Sequence, residues 1–240
     1  MERTTGARSK IVSSAASPLI VFDMDGVLAE VSESYRESIV QTVAHFTGKH
    51  VTRDRIQEYK NRGGWNNDWA LSQKMAADLG VQIPYDTVVE QFNKFFLGEN
   101  GHGDGLIRRE LWFPKPGLLE RLESNNGLSI FTGRLRYEAD ITLKRFAPSI
   151  AFDPIVCADD IAASKPAPDG LLFIQKQQPG CKLWYVGDTV DDARSAKAAN
   201  VPFIGIAAKA HPWHDDLVNL FKKENAIAIL DNVNEIEEAL

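Results

Sequence analysis

Residues Leu19-Ile20-Val21-Phe22 form an unbroken apolar run that ends on Asp23-Met24-Asp25-Gly26. Four large apolar side chains in succession leave no polar face. That predicts a strand covered on both sides, as in a parallel sheet flanked by helices. The abrupt change to two carboxylates and a glycine marks the strand's carboxyl end, the edge at which open α/β sheets assemble their sites. Two carboxylates one residue apart repel each other unless a cation or a shared proton relieves them. The rest of the chain has to supply positive charge at that point.

After Val27 the pattern turns helical. Ser32 to Phe46 carries Tyr35, Ile39, Val43 and Phe46 at helical spacing, with Ser32 placed to cap its start. Thr52 caps a second helix through Tyr59, which gives out at Asn61-Arg62-Gly63-Gly64. Trp65 to Leu79 is a third, and Pro84 opens a fourth that stops at Gly98. No strand pattern lies between Leu28 and Trp112, so residues 28–113 read as an all-helical insertion.

From Pro114 helix and strand alternate. Strands are expected at Leu128–Phe131, Pro154–Cys157, Leu183–Val186, Phe203–Ile206 and Ile227–Ile229. Helices are expected at Pro116–Glu123, Leu135–Phe146, Asp169–Gln177 and Asp191–Ala199, and Glu235–Leu240 closes the chain. Such alternation implies βαβ units and a mainly parallel sheet. The first strand pairs best with this later half, which makes one α/β core of residues 18–27 and 114–240. Residues 1–17 lack an apolar stretch of their own and read as a disordered tail rather than a signal peptide.

The composition narrows the classes of function. A formal charge of −6 over 240 residues argues against a general nucleic-acid binder. No apolar run approaches the ~20 residues of a membrane span. Cys157 and Cys181 show no metal spacing and read as reduced thiols of a cytoplasmic protein. His211 and His214 lack a third ligand and read as a pair of loop histidines, and Trp65 and Trp69 read as packing residues.

Parallel strands bring their carboxyl ends to one edge, where four groups converge. These are Asp23 with Asp25, Thr132-Gly133-Arg134, Lys165-Pro166, and Gly187-Asp188 through Asp192. Their chemistry suits phosphoryl transfer. Asp23 can attack phosphorus as a carboxylate nucleophile. Asp23, Asp188 and the main-chain carbonyl of Asp25 offer hard oxygens to a divalent cation of the Mg²⁺ type. Asp192 supports that ion from behind, and Asp191 reads as a helix N-cap. Asp25 can protonate a leaving oxygen and later activate water. Thr132 offers a hydroxyl and Lys165 a point charge to phosphate oxygens.

These four elements, in this order, resemble the signatures of the haloacid dehalogenase superfamily: Asp23-Met24-Asp25-Gly26-Val27-Leu28, Phe131-Thr132-Gly133, Lys165-Pro166, and Gly187-Asp188 through Asp192. The resemblance implies a Rossmann-like core, Mg²⁺, and an aspartyl-phosphate intermediate. A helical insertion directly after the first signature is similar to the mobile cap of that superfamily's phosphoglycolate-phosphatase-like branch. Relatives that cleave carbon–halogen or carbon–phosphorus bonds lack an acid where Asp25 stands, so Asp25 points to phosphate esters.

The expected activity is therefore a Mg²⁺-dependent phosphatase acting on a small phosphorylated metabolite. A phosphosugar mutase is the alternative, and a catalytically silent binding domain the remote one. Substrate-facing candidates are Gly133, Arg134, Arg36, Lys60, Arg62 and Gly63. Arg134 departs from the usual pattern and reaches either substrate or a cap acid. Lys60 and Arg62 are either substrate contacts or solvated surface charges.

Overall fold

The computed structural model describes residues 17–240; the expectation for the N-terminal tail lies outside them. In chain order, β1 (Leu19–Phe22) is followed by the two-residue strand β2 (Ala29–Glu30). Helices α1 (Tyr35–Thr47), α2 (Arg53–Arg62), α3 (Asp68–Asp78) and α4 (Tyr85–Leu97) come next, then a second two-residue strand, β3 (Leu111–Trp112). The remainder alternates as α5 (Leu118–Glu123), β4 (Gly127–Phe131), α6 (Arg136–Phe146), β5 (Phe152–Val156), α7 (Asp169–Gln177), β6 (Leu183–Gly187), α8 (Val190–Ala198), β7 (Phe203–Ile206), α9 (His214–Lys223) and β8 (Ala228–Leu230).

Six of these strands form one parallel sheet in the order β5-β4-β1-β6-β7-β8. It is a Rossmann-like α/β architecture. Each strand feeds its two side-chain rows into different layers, as the pleat requires. Ile20, Phe22, Leu128, Ile130, Trp184 and Val186 face a layer containing Leu118, Leu122 and Leu143 of α5 and α6. Leu19, Val21, Phe131, Tyr185 and Phe203 face the other, with Leu171 and Ile174 of α7, Ala193 and Ala196 of α8, and Phe221 of α9. The uniformly apolar β1 is thus a central strand buried from both sides. The alanines of α8 let that helix approach closely.

The helical block has a core of its own. Tyr35, Ile39 and Val43 on α1 meet Ile56, Leu71, Met75, Phe92 and Phe96 from the other three helices. Thr52 and Asn67 cap α2 and α3 by accepting from the amides of Arg55 at 3.2 Å and Ala70 at 2.9 Å. Trp65 and Trp69 pack edge-on against Tyr59 and Phe92.

Several boundaries differ from the sequence reading. Helix α1 starts at Tyr35, because the amide of Ser32 is tied to Glu30 Oε1 at 2.8 Å and Ser34 occupies the turn before the helix. The block is not free of strands: β2 and β3 pair antiparallel, Ala29 opposite Trp112 and Glu30 opposite Leu111. Two residues are too few to show any alternation. Helix α9 has no counterpart among the expected helices; Leu217 and Phe221 are its buried residues, one turn apart in an otherwise charged stretch. Near the chain's close, Val233–Glu238 forms a 3-10 helix.

Candidate active site

Strand order positions the site. The chain adds β4 and β5 on one side of β1, then crosses to lay down β6, β7 and β8 on the other. Open α/β sheets form their crevice at this reversal, beyond the carboxyl ends of the strands. Asp23 leaves β1 there, its amide still donating to Val186 O at 2.8 Å. Thr132 follows β4 and Asp188 follows β6, so the three are neighbours although they are far apart in sequence.

Lys165 arrives from the loop between β5 and α7. Its ammonium lies 2.9 Å from Asp23 Oδ1 and 2.7 Å from Asp192 Oδ1, over the faces of Phe131 and Tyr185. Burial opposes the charge, but the two carboxylates hold Lys165 above its ordinary range. Asp192 is fixed on both oxygens. Oδ1 also accepts from Tyr185 Oη at 2.6 Å, and Oδ2 accepts from the Thr189 amide at 3.0 Å and hydroxyl at 2.6 Å. Burial works against this carboxylate too, yet Lys165 and those donors keep it below its usual value. Thr189 and Asp192 together cap α8, which corrects the expectation that Asp191 is the N-cap.

Asp23 is pushed up to about 7, first by burial and then by its acidic neighbours, against the pull of Lys165. Asp188 is raised well above the carboxylate range by burial and by Asp192 and Asp23. One oxygen from each of Asp23, Asp188 and Asp192 lies within 4.8 Å of the others. Asp188 Oδ1 is buried without a hydrogen-bond partner among the described residues. Gly26 makes room for this cluster: at φ 78° it adopts a left-handed conformation, and a Cβ there would fall 1.9 Å from Asp188 Oδ2. Converging carboxylates with an orphaned oxygen are what a hard divalent cation relieves. The donor set fits such an ion. Because Asp192 spends its lone pairs on Lys165, Tyr185 and Thr189, Asp23 and Asp188 are its freest carboxylates.

Among the described residues, Arg134 is one of the largest side chains shut away from solvent. Its Nε and Nη2 donate to Asp25 Oδ1 at 2.7 and 2.5 Å, Nη2 also reaches Glu110 Oε1 at 2.8 Å, and Nη1 donates to Thr142 Oγ1 at 2.6 Å and Glu110 Oε2 at 3.4 Å. All five N–H groups are then spent on protein acceptors. Arg134 has none left for substrate, which corrects that part of the sequence reading. Glu110, buried just before β3, is not among the sequence candidates; its one signal is an arginine on the α/β edge in need of a second acid.

The helical block reaches the site at several points. Arg36 on α1 and Lys60 on α2 line the cleft with Asp23, Asp25 and Asp188. Arg36 donates to Gln57 Oε1 at 2.8 Å, and Lys60 pairs with Asp68 at 2.6 Å. Gly133 lies in the cleft wall against the amide of Asn66. Arg62 is elsewhere, in a recess with Trp213 and Asp216. Helix α2 runs through Arg62, and two helical steps turn its side chain to the face opposite Lys60. Gly63 touches the core rather than the cleft: a Cβ there would sit 2.3 Å from Arg194 Nη1 and 2.8 Å from Asp191 Oδ1. The next amide, of Gly64, donates to both Asp191 oxygens at 3.0 and 2.8 Å. Asp191 is therefore a docking point for the helical block. His211 and His214 each bond to nearby main chain, His211 Nδ1 accepting from the Trp213 amide at 3.1 Å and His214 Nδ1 lying 3.1 Å from Ala207 O.

Comparison with known proteins agrees with this architecture. The family model for haloacid dehalogenase-like hydrolases matches residues 20–206. A Phytophthora nicotianae protein named imidazoleglycerol-phosphate dehydratase is 33% identical over 80% of this chain. The match spans only 44% of that protein's length, under half of it. A phosphoglycolate phosphatase of Agrobacterium fabrum is 25% identical over 82% of this chain and 83% of its own. Among solved structures, a phosphatase from Thermococcus thioreducens shares the fold, with a TM-score of 0.64 at 22% identity over 85% of this chain and 99% of that one. The chain belongs to the haloacid dehalogenase-like hydrolase family.

Proposed function

We propose that this protein is a Mg²⁺-dependent phosphatase that hydrolyses a small phosphorylated metabolite through an aspartyl-phosphate. The observation that carries the reading is the Asp23 carboxylate at the sheet edge, 2.9 Å from a buried Lys165, with a second acid two residues further on. Relatives named phosphoglycolate phosphatase and pyrophosphatase support it.

In the first half-reaction a carboxylate oxygen of Asp23 attacks phosphorus, and the ester P–O bond breaks as Asp25 gives its proton to the departing oxygen. In the second, water gives a proton to Asp25 and attacks the same phosphorus, which restores the Asp23 carboxylate and releases inorganic phosphate. Lys165 and the Thr132 hydroxyl hold the non-bridging oxygens through both. Asp23, Asp188 and the main-chain carbonyl of Asp25 would hold Mg²⁺, which when bound neutralises the carboxylates and polarises the phosphoryl group. The helical block serves as a cap: Arg36 and Lys60 face the substrate, and closure excludes bulk water. The two free thiols and the acidic composition suit a cytoplasmic setting.

The test is phosphate release from a panel of phosphorylated metabolites, with and without Mg²⁺, with Asp23→Asn as the blank. Substrate-dependent release that needs Mg²⁺ and vanishes in Asp23→Asn is expected. Turnover retained by Asp23→Asn overturns the nucleophile assignment. An isomerised sugar phosphate with little free phosphate overturns the phosphatase reading.

A further inference from the structure

The arrangement around Asp25 is asymmetric. Oδ1 receives two N–H groups from Arg134, at 2.7 and 2.5 Å, while Oδ2 has no partner among the described residues. The Arg134 side chain is 0% exposed and that of Asp25 32%, so the clamp is dry while Asp25 itself lines the cleft. Two donors on one oxygen fix the carboxylate's plane and stop its oxygens from exchanging places.

The clamp is itself held. Glu110, 1% exposed, takes Nη2 at 2.8 Å. The Thr142 hydroxyl accepts from Nη1 at 2.6 Å and donates to Glu110 at 2.7 Å, and the Tyr35 ring lies 5.0 Å beneath the guanidinium. Glu110 precedes β3, and Ser34 Oγ, 3.4 Å from Glu110, follows β2 by four residues. Both chain crossings into the helical block therefore border the group that orients Asp25. A lysine lacks the planar fork for this geometry.

We propose that Arg134, braced by Glu110, is a positioning residue that presents Asp25 Oδ2 to the ester oxygen of the substrate. The inference rests on Asp25 being the proton carrier, so its test separates the two. The readout is kcat/KM for two substrates: an alkyl phosphate found in the panel, whose alkoxide has to be protonated, and p-nitrophenyl phosphate, whose phenolate leaves without a proton. Arg134→Lys and Arg134→Gln lose about 100-fold on the alkyl ester and less than about 5-fold on the aryl ester, the scale of a misplaced acid. KM stays within about 3-fold, and the lysine variant does not rescue. In an Asp25→Asn background, Arg134→Lys costs no more than about 2-fold further, because coupled residues are not additive.

Equal losses on both substrates, or full additivity with Asp25→Asn, overturn the inference. If the single variants unfold, Arg134→Met combined with Glu110→Gln removes both buried charges and is read in the same way. An Asp25→Asn enzyme without a selective alkyl loss refutes the proton-carrier reading itself. A selective loss there but not in the Arg134 variants refutes only the positioning role.

Discussion

Lys165 Nζ and Asp192 Oδ1 meet 2.7 Å apart with 1% and 0% of their side chains exposed. A buried ion pair with one partner removed leaves an uncompensated charge, which typically costs about 3–5 kcal/mol. Asp192→Asn is therefore expected to lower unfolding stability by about 3 kcal/mol in urea titration. Lys165 then has only Asp23 to lean on, and kcat is expected to drop about 10- to 100-fold.

A cation held by Asp23 and Asp188 would bind the folded chain and not the unfolded one. At about 100 times its Kd, Mg²⁺ is expected to add about 2.7 kcal/mol of stability, visible as a rise in Tm. Asp188→Asn removes one of the two freest carboxylates and is expected to abolish that rise; with a repelling charge gone, the metal-free Tm should not fall below that of the parent. An unchanged Mg²⁺ response would locate the ion elsewhere.

Asp191 accepts twice from the Gly64 amide, joining the helical block to α8. Asp191→Ala is expected to speed hydrogen exchange at Gly64 at least about tenfold, the equivalent of losing roughly 1.4 kcal/mol of local protection. Exchange at Val21 and Tyr185, in the central strands, should not change.

Glu224 accepts from Lys197 at 2.8 Å and Arg194 at 3.4 Å, which together hold its carboxyl below the usual range. A depressed folded-state value contributes stability that is present above the unfolded pKa and is lost as pH falls. Glu224→Gln is expected to cost about 0.5–1 kcal/mol at pH 7, a modest figure because both cations are substantially solvated. The difference from the parent should disappear near pH 3. A difference that persists in acid would assign the effect to packing.

Burial pushes the Cys157 thiol up to about 12, whereas Cys181 is partly open to solvent. Because the thiolate is the reactive form, iodoacetamide at pH 8 is expected to modify Cys181 well before Cys157. Peptide mass spectrometry reads the order directly.

Much of this was legible in the residues themselves. β1 declared itself because four consecutive apolar side chains tolerate only a doubly covered strand. Asp23, Thr132 and Asp188 followed from strand ends that parallel topology has to bring together, and Lys165 from its place just ahead of a helix on the same edge. What escaped depends on direction and distance. The pairing of β2 with β3 is too short to leave a periodic trace, and α9 holds few buried residues in a charged stretch. Arg62 and Lys60 look equivalent in a line of text, and only the pitch of α2 separates them. Arg134 and Glu110 are 24 residues apart, and no local pattern links a buried guanidinium to the acid that balances it.

The two-rung ribbon of β2 and β3 has a consequence for how such molecules diversify. A helical module hung from so slight an attachment, with an interior of its own, is the kind of part that can be exchanged for another while the sheet beneath stays intact. Here the exchange carries a condition. Glu110 travels with the module and Arg134 stays behind, so any replacement without a carboxylate at that point strands a buried cation beside Asp25. The module is portable only together with its counter-charge.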